Sequence, residues 1–224
     1  MISAISPPPI ELINWERTEV AAVASFTLDV VKDWINRPRE DQTWDDETSA
    51  LMTVALRAIE AHAEINLAPS TWEGQLSQLY ERIKITRRPF LSVESLKVVA
   101  SDGTILTVSP DQYVVTRDAQ FCGVITLGSN LSIPQLARRP DAVRIVCKTG
   151  FFTRDDPPVA FIPDDLLHAL KMLVADLDRS RGDEGGSGGG KQTVFAMKNQ
   201  RPGFLPDSIR MLIGPYIMRR VMTA

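Results

Sequence analysis

The first third of the chain has apolar residues at helical spacing. Leu28, Val31 and Ile35 share one face of a short predicted helix over residues 28–35, and Thr27 caps its start. A longer helix is predicted over about residues 47–66, after an acidic start that suits the positive end of a helix dipole. Its recurring positions are Leu51, Val54, Ala55, Ala58, Ile59 and His62.

Between residues 72 and 152 the pattern changes to the alternation typical of strands. Residues 75–87 are predicted as one strand, and Ser101-Asp102-Gly103 as the turn of a hairpin. The other predicted strands cover residues 96–100, 104–108, 113–115, 122–127 and 142–151. We therefore predict an antiparallel β unit inserted between helices.

The last third begins with a well-formed helix start, in which Pro163 precedes Asp164 and Asp165. The helix that follows, residues 166–179, has a wide apolar stripe. Its apolar positions are Leu166, Leu167, Leu170, Leu173, Val174 and Leu177. A final helix is predicted from Pro206 and Asp207 onward, broken or bent at Gly214-Pro215.

These elements predict an α+β fold, a small helical bundle with an inserted antiparallel β unit and extended terminal arms. Pro7-Pro8-Pro9 forces an extended start, and the apolar residues after it, Ile10 and Trp15 among them, are predicted to contact a neighbouring subunit. We divide the chain into an N-terminal arm, a connector core with its β excursion, a glycine-rich linker and a C-terminal arm. The ranges are residues 1–24, 25–181 (β excursion 72–152), 182–200 and 201–224.

Composition narrows the possible functions. The 224 residues carry a net charge of −3, so no overall cationic field draws the protein to nucleic acid or to an anionic membrane. No apolar run approaches the roughly 20 residues that span a bilayer, and no signal peptide is recognisable, so we expect the protein to stay in the cytoplasm where it is made. Cys122 and Cys147 lie in apolar strands and are expected to be buried thiols.

The glycine tract at residues 185–190 nearly matches a phosphate-binding loop. Lys191 follows the glycines, but Gln192 stands where the pattern requires a serine or threonine hydroxyl for magnesium. The tract also follows the charged end of a helix, whereas a phosphate-binding loop follows a buried strand. We interpret it as a flexible linker, and a nucleotide-binding enzyme is kept as a remote alternative.

No other residue pattern predicts catalysis. His62 and His168 are the only histidines, and each is alone on its predicted helix, so neither belongs to a metal-ligand motif. No nucleophile elbow accompanies them. We expect neither enzymatic activity nor a cofactor.

The C-terminal segment is basic, in contrast to the acidic balance upstream. Arg201, Arg210, Arg219 and Arg220 are accompanied by adaptable apolar side chains. One interpretation is a solvated helical face, and the other is an arm that docks on an acidic partner.

The order of the motifs resembles one family. The helix from Phe26 to Ile35, the acidic start at Asp45 and the stretch Pro89-Phe90-Leu91-Ser92-Val93 before the Asp102-Gly103 hairpin resemble head-to-tail connector, or adaptor, proteins of long-tailed bacteriophages and gene transfer agents. The resemblance covers about residues 26–180. It continues through Arg139-Pro140-Asp141-Ala142-Val143, Thr149-Gly150-Phe151 and Ile162-Pro163-Asp164-Asp165-Leu166.

The resemblance implies a structural subunit of the virion neck, without catalytic residues. It implies a ring of about twelve copies beneath the portal protein, above a stopper or tail-completion protein, with DNA passing through its channel without sequence-specific contact. The family's C-terminal segment is similar to a portal-binding part. The portal-binding residues would then be Arg201, Phe204, Arg210, Met211, Tyr216, Met218, Arg219 and Arg220. A head-completion stopper or a tail-terminator ring is the alternative.

Overall fold

The computed structural model describes residues 10–11, 14–20, 25–119, 121–129, 131–153, 159–182 and 205–217. The chain divides into two compact units. A β unit comprises Met1–Ala22 and Ala68–Phe152, and a helical unit comprises Val23–Leu67 and Thr153–Ala224. The described strands lie in the first unit and the described α-helices in the second, so the predicted α+β class is confirmed.

The helical unit contains four α-helices in its described residues, namely α1 (Leu28–Trp34), α2 (Asp45–Ala63), α3 (Asp164–Gly182) and α4 (Asp207–Ile213). Thr27 caps α1 as predicted, because its side chain accepts a hydrogen bond from the Val30 amide at 3.5 Å. The helix α2 ends three residues earlier than predicted, where Glu64 takes a left-handed conformation. A short 3-10 turn, Gly214–Tyr216, follows α4 at the predicted break.

The helix α3 is central to the packing of the helical unit, since it contacts α1, α2 and α4. Its predicted apolar stripe is buried at four of six positions, Leu166, Leu170, Leu173 and Val174. None of the helices in the described part of the chain combines the length and the apolar character needed to cross a bilayer.

One charged side chain, Lys32 of α1, is almost completely buried in the helical unit. Its Nζ donates hydrogen bonds to the carbonyl oxygens of Arg39 at 3.1 Å and Asp41 at 2.8 Å, and it forms an ion pair with Asp45 at the start of α2. A buried ammonium group is costly unless it is paired and hydrogen-bonded. These contacts therefore fix the path of the loop between α1 and α2.

The β unit has nine described strands in two sheets, one with the order β1-β4-β8-β7 and one with the order β2-β3-β9-β5-β6. Only β1 and β4 pair in parallel, and the other pairs are antiparallel. The strands are β1 (Ile10–Glu11), β2 (Asn14–Val20), β3 (Ser70–Leu76), β4 (Arg82–Ile85), β5 (Phe90–Val99), β6 (Ile105–Thr107), β7 (Tyr113–Arg117), β8 (Gly123–Leu127) and β9 (Val143–Thr149).

The hairpin predicted at Ser101-Asp102-Gly103 is confirmed. It joins β5 to β6, and the Ala100 amide donates to the Thr104 carbonyl at 2.8 Å across the turn. Gly103 has a φ of 87°, a conformation that glycine adopts without steric cost.

The single strand predicted over residues 75–87 is wrong, because β3 and β4 belong to different sheets. Leu76 at the end of β3 and Ile83 in β4 nevertheless point into the same hydrophobic core. The apolar alternation therefore continues through a change of sheet. Both sheets contribute to this core, which includes Ile85, Leu96, Ile125, Val143, Ile145 and Cys147.

The N-terminal segment contributes two strands to the β unit of its own chain. In β2, Trp15 lies opposite Gly74 and Arg17 lies opposite Trp72 of β3. In β1, the backbone of Ile10 pairs with Ile83 of β4.

Candidate docking surfaces

The C-terminal helix α4 has one buried face and one exposed face. Leu205, Ile209 and Ile213 are at most 1% exposed, and α4 packs against α3. Arg210 lies on the exposed side and pairs with Asp207 at 3.3 Å, while Met211 is 76% exposed. The predicted partner-binding residues of α4 are thus on its accessible face.

Tyr216 links the end of the described C-terminal segment to α3. Its hydroxyl donates a hydrogen bond to Oδ1 of Asp165 at 2.9 Å. Burial, and then the hydrogen bond and charge of Asp165, raise the pKa of Tyr216 to about 12. Tyr216 therefore contacts its own chain through its polar end and is only partly exposed.

The other predicted docking residues in this segment are Arg201, Phe204, Met218, Arg219 and Arg220, which lie outside the described residues. The glycine tract of residues 185–190 also lies outside them, and so do Lys191 and Gln192. Their roles stay predictions.

Trp15, predicted at a subunit interface, packs against the hydrophobic core of its own β unit. Its ring lies over Gly74, where a Cβ atom would come within 2.8 Å of it. Only glycine leaves room for the indole at this position. The ring remains partly exposed, and its role at a subunit interface stays a prediction. Of Ile10, the structure describes the backbone pairing alone.

Two arginines lie over the ring of Trp72. The sequence patterns did not predict this cluster of three side chains. The guanidinium carbon of Arg87 is 4.4 Å from the ring centre, and that of Arg17 is 5.5 Å away. Arg17 also donates to the carbonyl of Ala68 at 3.4 Å. Burial, and to a smaller extent the charge of Arg17, lower the pKa of Arg87. Residues 70 positions apart in sequence form this cluster, so spacing could not reveal it.

The β unit also has an open cleft of about 650 Å³ beside the ends of β4 and β8. Most of the side chains that line it are apolar, and they include Leu79, Tyr80, Leu127, Leu131, Ile133 and Leu136. Glu81 and Ser129 add polar side chains, and polar atoms supply almost half of the lining surface. The cleft therefore presents both apolar and polar groups to a ligand.

The histidines show no arrangement for metal binding in the described part of the chain, where no group of three or more metal-ligating side chains occurs. His168 instead stacks edge-on against Trp34 with ring centres 5.5 Å apart, and Nζ of Lys171 lies 5.6 Å from the Trp34 ring.

Burial raises the pKa of the Cys147 thiol to about 12, with a smaller opposing effect of Arg87, so this cysteine is an unreactive core residue.

Comparison with known proteins gives structural likenesses only. No protein-family model matches the chain, and no curated protein matches it. Among solved structures, it matches a chain of a native gene transfer agent (GTA) particle virion with a TM-score of 0.64 at 16% identity. That match covers 95% of this chain and 99% of the other.

Two further matches are chains in structures of GTA particle necks. One neck, of an empty particle computed with C6 symmetry, gives a TM-score of 0.61 at 16% identity over 95% of this chain and 99% of that chain. The other, of a native particle computed with C12 symmetry, gives 0.58 at 20% identity over 93% and 98%. The chain thus has the fold of chains found in a GTA virion and in GTA particle necks.

Proposed function

We propose that this chain is a structural head-to-tail adaptor of a phage-like particle. In this role it forms a ring under the portal, joins the DNA-filled head to the tail and continues the DNA channel. The observation that carries the proposal is the likeness to GTA neck chains, which extends over 93 to 95% of this chain and almost all of each neck chain. The order of motifs in the sequence supports the same class independently.

The net charge of −3 suits a channel through which DNA slides. Many lysine and arginine contacts with phosphates would hold DNA in place, because each contact releases counterions and adds affinity. The proposed ring guides DNA without reading its bases. Its location is the neck of the virion, after assembly in the host cytoplasm.

We assign portal binding to the C-terminal segment. Residue Met211 supports this assignment, because an apolar side chain that is 76% exposed beside Arg210 is available to a partner. The buried side of α4 is already occupied by its own helical unit. Binding must therefore use the exposed side of α4 together with the residues that flank it.

Co-purification with the portal protein tests this assignment. Deleting all of residues 201–224 would uncover the apolar surface that Leu205, Ile209 and Ile213 bury, so loss of binding could reflect unfolding. The double variant Arg210→Glu and Met211→Ser changes only exposed side chains and should lower portal affinity at least tenfold. A matched control, Arg57→Glu with Val54→Ser, changes exposed positions of α2 and should bind normally.

Electron microscopy of the protein mixed with its candidate portal tests the class as a whole. A ring of about twelve subunits on the tail-facing end of the portal is the expected image. A ring that binds only the tail end, or only a pre-formed adaptor, would assign the chain to the tail-terminator or stopper class instead. Unchanged binding by the Arg210 and Met211 double variant would refute the C-terminal assignment while leaving the adaptor class intact.

A further inference from the structure

The five-stranded sheet has two free edges in the described part of the chain, β2 at one side and β6 at the other. All three residues of β6 are exposed, with Ile105 at 56% and Leu106 at 41%. The outer side of β2 also pairs with no described strand. Free edges present backbone N–H and C=O groups that can pair with another strand.

The two edge strands, β2 and β6, run in directions that allow them to pair between copies. Four antiparallel pairings separate β2 from β6, so the two strands run the same way. If β6 of one copy lies beside β2 of another, every copy uses β6 to contact one neighbour and β2 to contact the other. Such a contact between two different surfaces builds a closed ring when the rotation between neighbouring copies closes.

The outer face of this sheet is acidic near β2. Because side chains alternate along a strand, Glu16 and Glu73 lie on the face opposite Trp15 and Trp72. They are also direct neighbours across β2 and β3. Like charges at directly opposite positions destabilise a strand pair, and Glu16 has no ion-pair partner among the described residues. A cation supplied from outside the subunit would relieve this repulsion.

The same face carries two basic side chains toward β6, while its third, Lys148 of β9, is already paired with Glu94 of β5. Arg144 of β9 lies opposite Lys97 of β5, and Lys97 in turn lies opposite Thr107 of β6. Arg144 is paired with Asp141 at 2.6 Å, but Lys97 forms no ion pair within the described chain. Among the described residues, the sheet therefore carries a cation without an ion pair, Lys97, near one edge, and a carboxylate without one, Glu16, at the other.

We propose that the five-stranded sheet continues from one copy of this chain to the next, with β6 of one copy beside β2 of its neighbour and Lys97 facing Glu16. This inference rests on the ring of the proposed function and names its subunit contact. In this arrangement the backbone of β5, which carries Lys97, lies two strand spacings, about 10 Å, from the backbone of the neighbour's β2, which carries Glu16. Extended lysine and glutamate side chains together span this distance over the short Thr107. Pairing of β2 with β2 is disfavoured, because it would bring the exposed Glu16 and Glu19 of two copies together.

Charge reversal tests this contact in the full-length chain, alone and with portal, by sedimentation velocity over a range of concentrations. Lys97→Glu and Glu16→Lys should each weaken self-association at least tenfold, whereas Arg57→Glu on α2 should leave it unchanged. The double variant with both changes should assemble again. An equimolar mixture of the two single variants should also assemble, because an alternating ring of even number places opposite charges at every joint.

Circular dichroism should show a native fold for all of these variants, since Lys97 and Glu16 make no described side-chain contact that the fold requires. Single variants that assemble like the wild type, or a mixture that stays as dissociated as its components, would overturn the proposal. So would a wild-type chain that remains monomeric both alone and with portal. A wild type that forms charge-sensitive rings without binding portal would retain the sheet contact and refute the adaptor role instead.

Discussion

The strand β2 and the helix α4, near the two ends of the chain, are attached to their units by different kinds of contact. β2 pairs its backbone with β3 along one side and places one large ring, that of Trp15, against the core. The backbone hydrogen bonds of α4 are formed within the helix, and α4 is held to its unit by buried side chains, chiefly Ile209 and Ile213. A strand attached in this way keeps a second row of backbone groups for a partner, whereas a helix offers side chains alone.

This difference predicts that recognition at the two ends follows different rules. A partner of β2 can be recognised by main-chain pairing, with charges such as Glu16 selecting the orientation. A partner of α4 must be recognised by the exposed Arg210 and Met211. Three measurements test this difference between β2 and α4.

The largest effect is expected from emptying the buried face of α4. Ile209→Ala and Ile213→Ala should each cost about 2 to 5 kcal/mol of local stability, because each removes a fully buried side chain and leaves a cavity. Hydrogen exchange of the amides in residues 205–217 should accelerate, while exchange in β2 stays unchanged. Met211→Ala, the control on the exposed face, should alter stability by less than about 0.5 kcal/mol. Equal effects at Met211 and Ile213 would contradict the buried and exposed assignment.

A smaller effect is expected from filling the space under Trp15. Gly74→Ala places a Cβ atom 2.8 Å from the indole, so the ring must move, at a cost of about 1 to 3 kcal/mol. Exchange in β2 should accelerate while α4 is unaffected, the reverse of the first result. Combining Gly74→Ala with Trp15→Leu should recover part of the loss, as expected for residues in contact. Strictly additive losses would show that Trp15 does not lie over Gly74.

The smallest effect is expected at Tyr216. Tyr216→Phe removes the hydrogen bond to Asp165 and should cost about 1 kcal/mol. The pKa of Tyr216 is raised from 10.0 to about 12, so the protonated hydroxyl stabilises the folded state fully below pH 10. This contribution is lost as the pH rises toward 12. The stability difference between wild type and Tyr216→Phe should therefore be constant below pH 10 and shrink as the pH rises from 10 toward 12, as denaturation curves would show. A difference that stays constant over this range would exclude the linkage.

Local signals in the sequence predicted most of the elements. Thr27 marks the start of α1, Asp102-Gly103 marks a hairpin, and Asp164 after a proline marks the start of α3. Each of these features depends on interactions between residues a few positions apart, so a short stretch of sequence is enough to predict it. The alternation over residues 75–87 was also real, but it could not reveal that the chain changes sheets, because both sheets face one core.

Contacts that join distant residues could not be predicted in this way. From the sequence, Trp15 is predicted to contact a neighbouring subunit. Its packing over Gly74 could not be predicted, because the two residues are far apart in sequence. The docking surfaces show the same limit. Basic and apolar residues near α4 marked it as a candidate, yet only the packing of Ile209 and Ile213 shows which side of the helix is accessible. Lys97 and Glu16 gave no signal, because their significance depends on sheet order.

The route of the chain has a consequence for synthesis. The helical unit is built from Val23–Leu67 and Thr153–Ala224, with Ala68–Phe152 between them in sequence. During translation, α1 and α2 are made about 100 residues before α3 can cover their apolar sides. At roughly 5 to 20 residues per second the delay is on the order of ten seconds. The sides of α1 and α2 that α3 later covers therefore remain exposed while the β unit is synthesised. Chaperone binding or premature association in this period would change the yield of folded subunits.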